Sequence, residues 1–245
     1  MLSARRAVVL LCLASAASAS LAGTDGFAPW TDSGFLGADQ RWLHPDEIYP
    51  RGVPALPFEL DATVMFARGT PWTQARAVRQ IRRTAGILGA CGVRLGRIRL
   101  ARLPLGPDRR RIDVSESDPA TGVPAAVAEL SALLPAATPH PVAFLIARVA
   151  GTESLAVSYR ARDERGPGAP YLNTAWIGYR AHWLPRKDEE YSALAHEFAH
   201  LLCRCGHTAG PTRHLLHSAR NFLASTVLPE HCRRIASSPL LTVTD

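Results

Sequence analysis

The run PVAFLIARV, residues 141–149, constrains the fold more than any other part of this chain. It is almost continuously apolar and is preceded by prolines, as expected of a β-strand that is buried on both faces. Strands of this kind belong to parallel sheets that are covered by helices. The chain is therefore expected to fold around a central buried strand, with helices packed on the sheet.

The segments on either side supply the partners of this strand. FELDATVMFA is rich in β-branched and aromatic residues, whereas VRLGRIRLARL alternates apolar and basic residues, which indicates a strand with one solvated face. Thr70 precedes Pro71 and is predicted to cap the first long helix. The predicted strands are 58–67, 93–103, 141–149, 154–161 and 173–180. The predicted helices are 72–92, 124–134, 188–203 and 229–241. This order implies a mostly parallel sheet with helices packed on it.

The first residues indicate export. A basic start is followed by the apolar run 7–14 and by an A-x-A site that ends at Ala19, which is the pattern of a cleaved signal peptide over residues 1–19. The apolar run is too short to span a bilayer. No later segment is long and apolar enough to serve as a membrane anchor. The protein is therefore predicted to be secreted or periplasmic, with cleavage after Ala19.

Two regions are expected after cleavage. Residues 20–57 are rich in Gly, Pro, Asp and Trp and show neither helical nor strand periodicity, so they are predicted to form an extended N-terminal segment lying on the domain. Residues 58–245 are predicted to form a single domain, which fits the total length of 245 residues.

Composition excludes two classes of protein. Charged residues make up 20% of the chain and hydrophobic residues 47%, which is ordinary for a globular protein and unlike a disordered one. The net charge of +7 comes from arginines spread along the chain, and the one local run, at 109–111, lies beside an aspartate in a Pro/Gly-rich stretch. No aromatic residues interleave with this run as they do where bases stack, so nucleic acid is not an expected partner.

Export favours disulfides over free thiols. Four cysteines remain after signal cleavage, namely Cys91, Cys203, Cys205 and Cys232. Two disulfides are expected in an oxidising compartment, and the rival interpretation is a structural metal site of Cys203, Cys205, His207 and Cys232. A bond between Cys203 and Cys205 would close a very small ring. One of these two is therefore predicted to pair with Cys232 and the other with Cys91.

The segment SALAHEFAHLLCRCGHTAG carries the chemistry. Its apolar residues form one helical stripe: Tyr191, Leu194, Ala195, Phe198, Leu201 and Leu202. His196 and His200 lie one turn apart on another face, with Cβ atoms about 5–6 Å apart. Two imidazoles so placed converge on one zinc ion at about 2.0–2.1 Å each. Glu197 lies near such an ion without binding it and is predicted to act as the base that takes a proton from water.

HEFAH followed by a glycine and a third histidine resembles the active-site motif of the metzincin clan of zinc peptidases, within the broader zincin fold. The order of strands and helices is similar as well, so the resemblance covers roughly 58–241. It implies an α+β fold with a twisted, mostly parallel sheet, one antiparallel edge strand and long helices, including the one with the H-E-x-x-H motif. It also implies that His196, His200 and His207 bind one catalytic Zn²⁺ and that Glu197 is the general base.

The chain departs from the clan at three points. Cys203 stands where the clan has a glycine, and the third histidine follows the first by eleven residues, where the clan has ten. The clan's methionine-bearing turn has no counterpart, since the chain has two methionines and neither follows the motif. Leu215 or Leu216 is expected to supply that apolar floor. No tyrosine follows the turn.

The third metal ligand is predicted to be His207. In a continued helix it would lie about 10 Å along the axis beyond the second histidine, since each residue rises 1.5 Å. The chain must therefore turn back, and Gly206 is predicted to adopt the left-handed conformation that permits this. His214, His217 and Glu230 are the alternatives. Glu230 also fits a structural role in the first turn of the last helix.

The sequence thus predicts an exported zinc-dependent endopeptidase that acts as a monomer on peptide or protein substrates. The substrate is expected to lie as an added strand along the sheet edge near 154–161. Two alternatives belong to other classes: a catalytically inactive binding protein that keeps the zincin fold, and a histidine-rich protein that stores or senses metal. Hydrolysis of an unfolded protein substrate separates the peptidase from both.

Overall fold

The computed structural model describes residues 28–29, 38–118, 122–151, 156–159, 171–183, 192–209, 214–217 and 225–244. The strands are β1 (Ala28–Pro29), β2 (Asp39–Leu43), β3 (Phe58–Ala67), β4 (Val93–Leu103), β5 (Arg111–Asp113), β6 (Ser117–Asp118), β7 (Val123–Pro124), β8 (Val142–Ile146), β9 (Arg148–Ala150), β10 (Ala156–Tyr159), β11 (Thr174–Gly178) and β12 (Thr242–Val243). The helices are α1 (Pro45–Ile48), α2 (Gln74–Gly89), α3 (Ala125–Ala132), α4 (Tyr179–Trp183), α5 (Ala193–Cys203) and α6 (Pro229–Ala236), with short 3₁₀ turns at Pro107–Arg110 and Val114–Glu116.

The main sheet has the strand order β1-β2-β4-β3-β8-β11-β10, and β12 pairs with β3. Its four central strands, β4, β3, β8 and β11, are parallel to their neighbours within this group. The prediction of a mixed fold with a mostly parallel sheet is confirmed. The antiparallel strand β10 lies at one edge. A second antiparallel strand, β2, flanks β4 on the other side, where the sequence shows no strand periodicity.

Burial explains why β8 and β3 lie at the centre. All five residues of β8 are buried, as its apolar sequence predicts. The last six residues of β3 are buried as well. Strand β4 alternates between buried and partly exposed positions and lies next to the antiparallel β2, where one face is less covered.

Helices and small sheets cover the two faces of the main sheet. One core is formed with α2, α5 and α6, and its buried residues include Ile81, Leu88 and Phe198. The other core lies beneath α3, and Phe144 and Trp176 stack within it with ring centroids 4.0 Å apart. None of the helices in the described part of the chain combines the length and apolar character that a bilayer crossing needs.

Several predicted helix boundaries are wrong by a few residues. Helix α2 begins at Gln74 because Thr73 caps it, accepting a hydrogen bond from Arg76 N–H, while Thr70 bonds back to the Ala67 carbonyl. Helix α5 begins at Ala193, later than the predicted 188, and residues 188–191 lie outside the described residues.

The predicted disulfide pairing is wrong. Cys91 bonds to Cys232, and Cys203 bonds to Cys205. Cys91 follows the end of α2 and Cys232 lies on α6, and packing of these helices around α5 brings the two within a Cα–Cα distance of 4.8 Å. Arg204 adopts a left-handed conformation with φ of 50°, and the cysteines on its two sides lie 5.2 Å apart, within the usual disulfide range.

Candidate metal centre

A buried hydrogen-bond network holds the start of α5. Ser192 is the N-cap residue, and its Oγ accepts a hydrogen bond from Ala195 N–H at 3.1 Å. The same hydroxyl donates to Gln80 Oε1 at 2.8 Å and lies 3.0 Å from Thr84 Oγ1. Gln80 and Thr84 are both on α2, so this network fixes α5 against α2. A serine just before an apolar helix is an N-cap signal in the sequence, and the prediction of a helix from residue 188 passes over it.

The three predicted histidines come together at the end of α5. His196 Nε2 lies 3.1 Å from His200 Nε2 and 3.1 Å from His207 Nε2. Among the described residues, these histidines are the one group of three ligand-type side chains whose candidate atoms all lie within 4.8 Å of one another. Two nitrogens that bind a tetrahedral zinc ion at about 2.0–2.1 Å are about 3.3–3.4 Å apart. The cluster could therefore hold a metal ion of this size.

Backbone carbonyls hold the other ring nitrogens of two of these histidines. His196 Nδ1 lies 2.5 Å from the Leu215 carbonyl, and His200 Nδ1 lies 2.8 Å from the Cys205 carbonyl. An Nδ1–H that donates to a carbonyl leaves Nε2 with its lone pair free for a metal. The donor set therefore fits a metal ion of the borderline-soft kind that imidazole prefers, such as zinc.

The chain reversal that brings His207 to the cluster takes place at Arg204. Helix α5 ends at Cys203, and Arg204 has φ of 50° and ψ of 33°. Gly206 does not adopt a positive φ, so the prediction that this glycine makes the reversal is wrong. The expected turn is present, but it lies between the two bonded cysteines, where a left-handed residue keeps their Cα atoms within disulfide distance.

A short turn of residues 214–217, called here the support turn, lies beside the histidines. Leu215 N–H donates to the Thr226 carbonyl at 2.8 Å, and Thr208 N–H donates to the Leu216 carbonyl at 2.9 Å. Leu215 and Leu216 are both buried in the core that contains Phe198 of α5. The support turn is therefore hydrogen-bonded both to the residue after His207 and to the segment before α6.

The alternative ligands lie outside the cluster. His214 is buried, and its Nε2 accepts a hydrogen bond from Leu228 N–H at 3.0 Å. Glu230 is exposed in the first turn of α6, where a carboxylate interacts favourably with the helix dipole. His217 forms a bridge with Thr208 through the backbone. The described metal-capable group contains none of these three.

Glu197 is buried next to the cluster on α5. Burial raises the pKa of its carboxyl to about 7, and a hydrogen bond with the Ser158 side chain opposes this rise. Ser158 lies on the edge strand β10, and no pattern in the sequence pointed to this contact. Burial, and then the neighbouring His200 and His207, lower the pKa of His196 to about 3.

Together these observations define a class: a mixed α/β fold in which three histidines at the end of one helix form a cluster that could bind a metal. No protein-family model matches the chain, and no curated protein matches it in sequence. Among solved structures, the fold is similar to that of metalloproteinase-II from Bacteroides fragilis, with a TM-score of 0.52 and 12% sequence identity. The match covers 74% of this chain and 52% of that one, so this chain spans about half the length of its neighbour. At this identity the similarity shows a shared fold.

Proposed function

We propose that this protein is an exported zinc-dependent endopeptidase of the metzincin type. His196, His200 and His207 hold one zinc ion, and Glu197 is the general base. The observation that carries the proposal is the convergence of three Nε2 atoms, with His196 and His200 oriented through Nδ1 by backbone carbonyls. The fold similarity to a metalloproteinase supports the same reaction class.

The chemistry divides between the ion and Glu197. A bound zinc ion supplies Lewis acidity, which polarises a peptide carbonyl and makes water a better nucleophile near neutral pH. The Glu197 carboxylate accepts the proton of the attacking water and then delivers it to the leaving amine nitrogen. Its burial keeps bulk water from competing for that proton. The Ser158 hydrogen bond ties the carboxylate to β10.

The substrate lies as an added strand on β10. This strand is at the edge of the main sheet, paired on one side with β11, and its residues are all partly exposed. An extended peptide on such an edge binds through main-chain hydrogen bonds, which depend little on its sequence. Ser158 and Ala156 alternate with Val157 and Tyr159, which pack toward the opposite core. The peptide backbone therefore passes next to Glu197.

Export rests on the signal-like residues 1–19 and on the disulfides. Both cysteine pairs are bonded, which suits an oxidising compartment outside the cytosol. The protein works there as a monomer with one catalytic zinc ion.

The test compares Glu197→Gln with His207→Ala. The glutamine keeps the size of the side chain but cannot accept the proton, so we expect zinc content to stay at one per chain while hydrolysis of unfolded casein falls by about 10²–10⁴-fold. His207→Ala is expected to lose zinc and activity together. Metal analysis and the peptidase assay are run on the same samples.

Glu129→Gln is the matched control, because Glu129 is an exposed carboxylate on α3. It should keep both zinc and activity. Wild-type activity in Glu197→Gln would contradict the base role. Zinc-loaded wild-type protein without any hydrolysis would favour a binding protein, and several weakly held ions per chain would favour metal storage.

A further inference from the structure

We propose that His214 is a positioning residue of the metal centre: its buried imidazole holds the support turn against the start of α6 and thereby orients His196 and His207. The inference rests on the proposed function in one respect, that the cluster binds a metal. It assigns to His214 a role at a distance from the ion, through the backbone of residues 214–217.

The support turn is attached to residues 226–228 by hydrogen bonds. Leu228 N–H donates to His214 Nε2 at 3.0 Å, and His214 is 2% exposed. The turn makes a further bond to the same segment, from Leu215 N–H to the Thr226 carbonyl at 2.8 Å. Of these bonds to residues 226–228, the one to His214 Nε2 is made by a side chain, and a substitution can remove it.

The support turn contacts two of the three histidine segments of the cluster. Its Leu215 carbonyl lies 2.5 Å from His196 Nδ1. Its Leu216 carbonyl accepts a hydrogen bond from the N–H of Thr208, the residue after His207. A shift of the turn moves both contacts at once. Partners of this kind set the ring orientation of metal-binding histidines, and their loss costs metal affinity.

A disulfide fixes the segment to which His214 is hydrogen-bonded, the start of α6. Leu228 is the N-cap residue of α6, and Cys232 on that helix is bonded to Cys91 at the end of α2. The first turn of α6 is thus covalently tied to the segment that follows α2. The hydrogen bond from Leu228 N–H to His214 holds the support turn against this fixed segment.

His231 provides a matched comparison. It is 3% exposed, and its ring centroid lies 5.1 Å from that of His214. Its Nδ1 makes no hydrogen bond within the described residues, and it does not lie on the support turn. Loss of either buried imidazole leaves a similar cavity in the same place, but loss of His214 alone releases Leu228 N–H.

The experiment measures metal binding by the full mature chain. Zinc affinity is read by competition with a chromophoric chelator, and the geometry of the site is read from the visible absorption of the Co²⁺-substituted protein. We expect His214→Leu to weaken zinc binding by about 10–100-fold and to change the Co²⁺ spectrum. His214→Gln offers an amide oxygen to Leu228 N–H and is expected to restore both readouts.

Leu228→Pro removes the same hydrogen bond from the donor side. The φ of Leu228 is −67°, within the range of proline, and the Cδ atom of the ring takes the place of the amide hydrogen and displaces the His214 imidazole. A cooperative urea transition of the metal-free variant shows that it folds. It should reproduce the loss of zinc affinity. His231→Leu should lower the urea midpoint of the metal-free protein as His214→Leu does, while zinc affinity and the Co²⁺ spectrum stay as in the wild type.

Wild-type zinc affinity in both His214→Leu and Leu228→Pro would overturn the positioning role. An equal loss of affinity in His231→Leu would do the same, since it would trace the effect to packing. Peptidase activity is not read in these assays. A wild-type protein that binds zinc but hydrolyses no peptide would therefore contradict the proposed function and leave this inference standing.

Discussion

Replacing Ser192 by alanine removes the group on which the position of α5 depends most directly. The Ser192 hydroxyl is fully buried, caps the helix at Ala195 N–H and donates to Gln80 Oε1 on α2. Alanine keeps the backbone and fits the space. The change therefore isolates the hydrogen bonds and leaves the apolar packing of α5 unaltered.

The expected cost has two parts. Loss of a serine N-cap destabilises a protein by typically about 1 kcal/mol. A buried polar group that loses its partner costs a further 1–3 kcal/mol or so, and Gln80 Oε1, in a residue that is 1% exposed, loses the serine as donor. We therefore expect the free energy of unfolding to fall by about 2–4 kcal/mol.

Urea unfolding of the metal-free protein with its disulfides intact measures this cost. With a slope of about 3 kcal/mol per molar urea, the midpoint should fall by about 1 M. Thr73→Ala is the matched control, because Thr73 caps α2 in the same way but is exposed. It should cost about 1 kcal/mol or less, since water replaces the lost partner.

The difference between the two variants is the contribution of the buried network. If Ser192→Ala cost no more than Thr73→Ala, the network with Gln80 and Thr84 would contribute nothing to stability, and the reasoning about the position of α5 would be refuted. A changed slope in urea would indicate instead that the variant alters the compactness of one state.

Two further predictions concern the disulfides and one surface carboxylate. The Cys91–Cys232 bond joins residues 141 apart, so replacing both cysteines by alanine should lower the free energy of unfolding by about 5 kcal/mol through loop entropy. The same change at the Cys203–Cys205 pair, which are two residues apart, should cost about 1–2 kcal/mol. Equal shifts of the thermal midpoint in the two variants would contradict this. Burial raises the pKa of Asp39, but hydrogen bonds from Arg102 and Arg68 outweigh it and hold the pKa below the ordinary value of 3.8. A carboxyl whose pKa is lower in the folded state stabilises that state at pH values above its unfolded-state pKa. Asp39→Asn should therefore lower the free energy of unfolding by about 1 kcal/mol at pH 7, and this loss should vanish as the pH falls below 3.8 through the folded-state pKa. A loss that does not depend on pH would assign the effect to packing.

The central strands and helix α5 could be predicted because their sequences carry one dominant physical signal. β3 and β4 were predicted at the bounds that they have, 58–67 and 93–103, since burial on one or both faces imposes a visible pattern. The approach of His196 and His200 follows from helical spacing alone. Both are local consequences of periodicity, which a sequence displays directly.

Contacts made by backbone atoms and by distant chain segments were not predictable in this way. Any residue can offer a carbonyl, so the roles of Leu215 and Cys205 leave no trace in side-chain pattern. The disulfide pairing depends on how α6 packs near the end of α2, which is a tertiary matter. The left-handed residue is Arg204 and not the predicted Gly206, because the Cys203–Cys205 bond suits a left-handed conformation at the residue between the two cysteines. This holds even though arginine itself disfavours that conformation.

Helix α5 is buried at every position except His196, which is itself partly buried. A surface helix accepts most substitutions on its solvated side, but this one has no such side. Any replacement at a buried position must match the volume and polarity of its neighbours at once, and that demand falls on ten of the eleven residues of the helix. Engineering of solubility, labelling or altered charge should therefore start elsewhere on the domain, and random mutagenesis should find few tolerated substitutions in this segment.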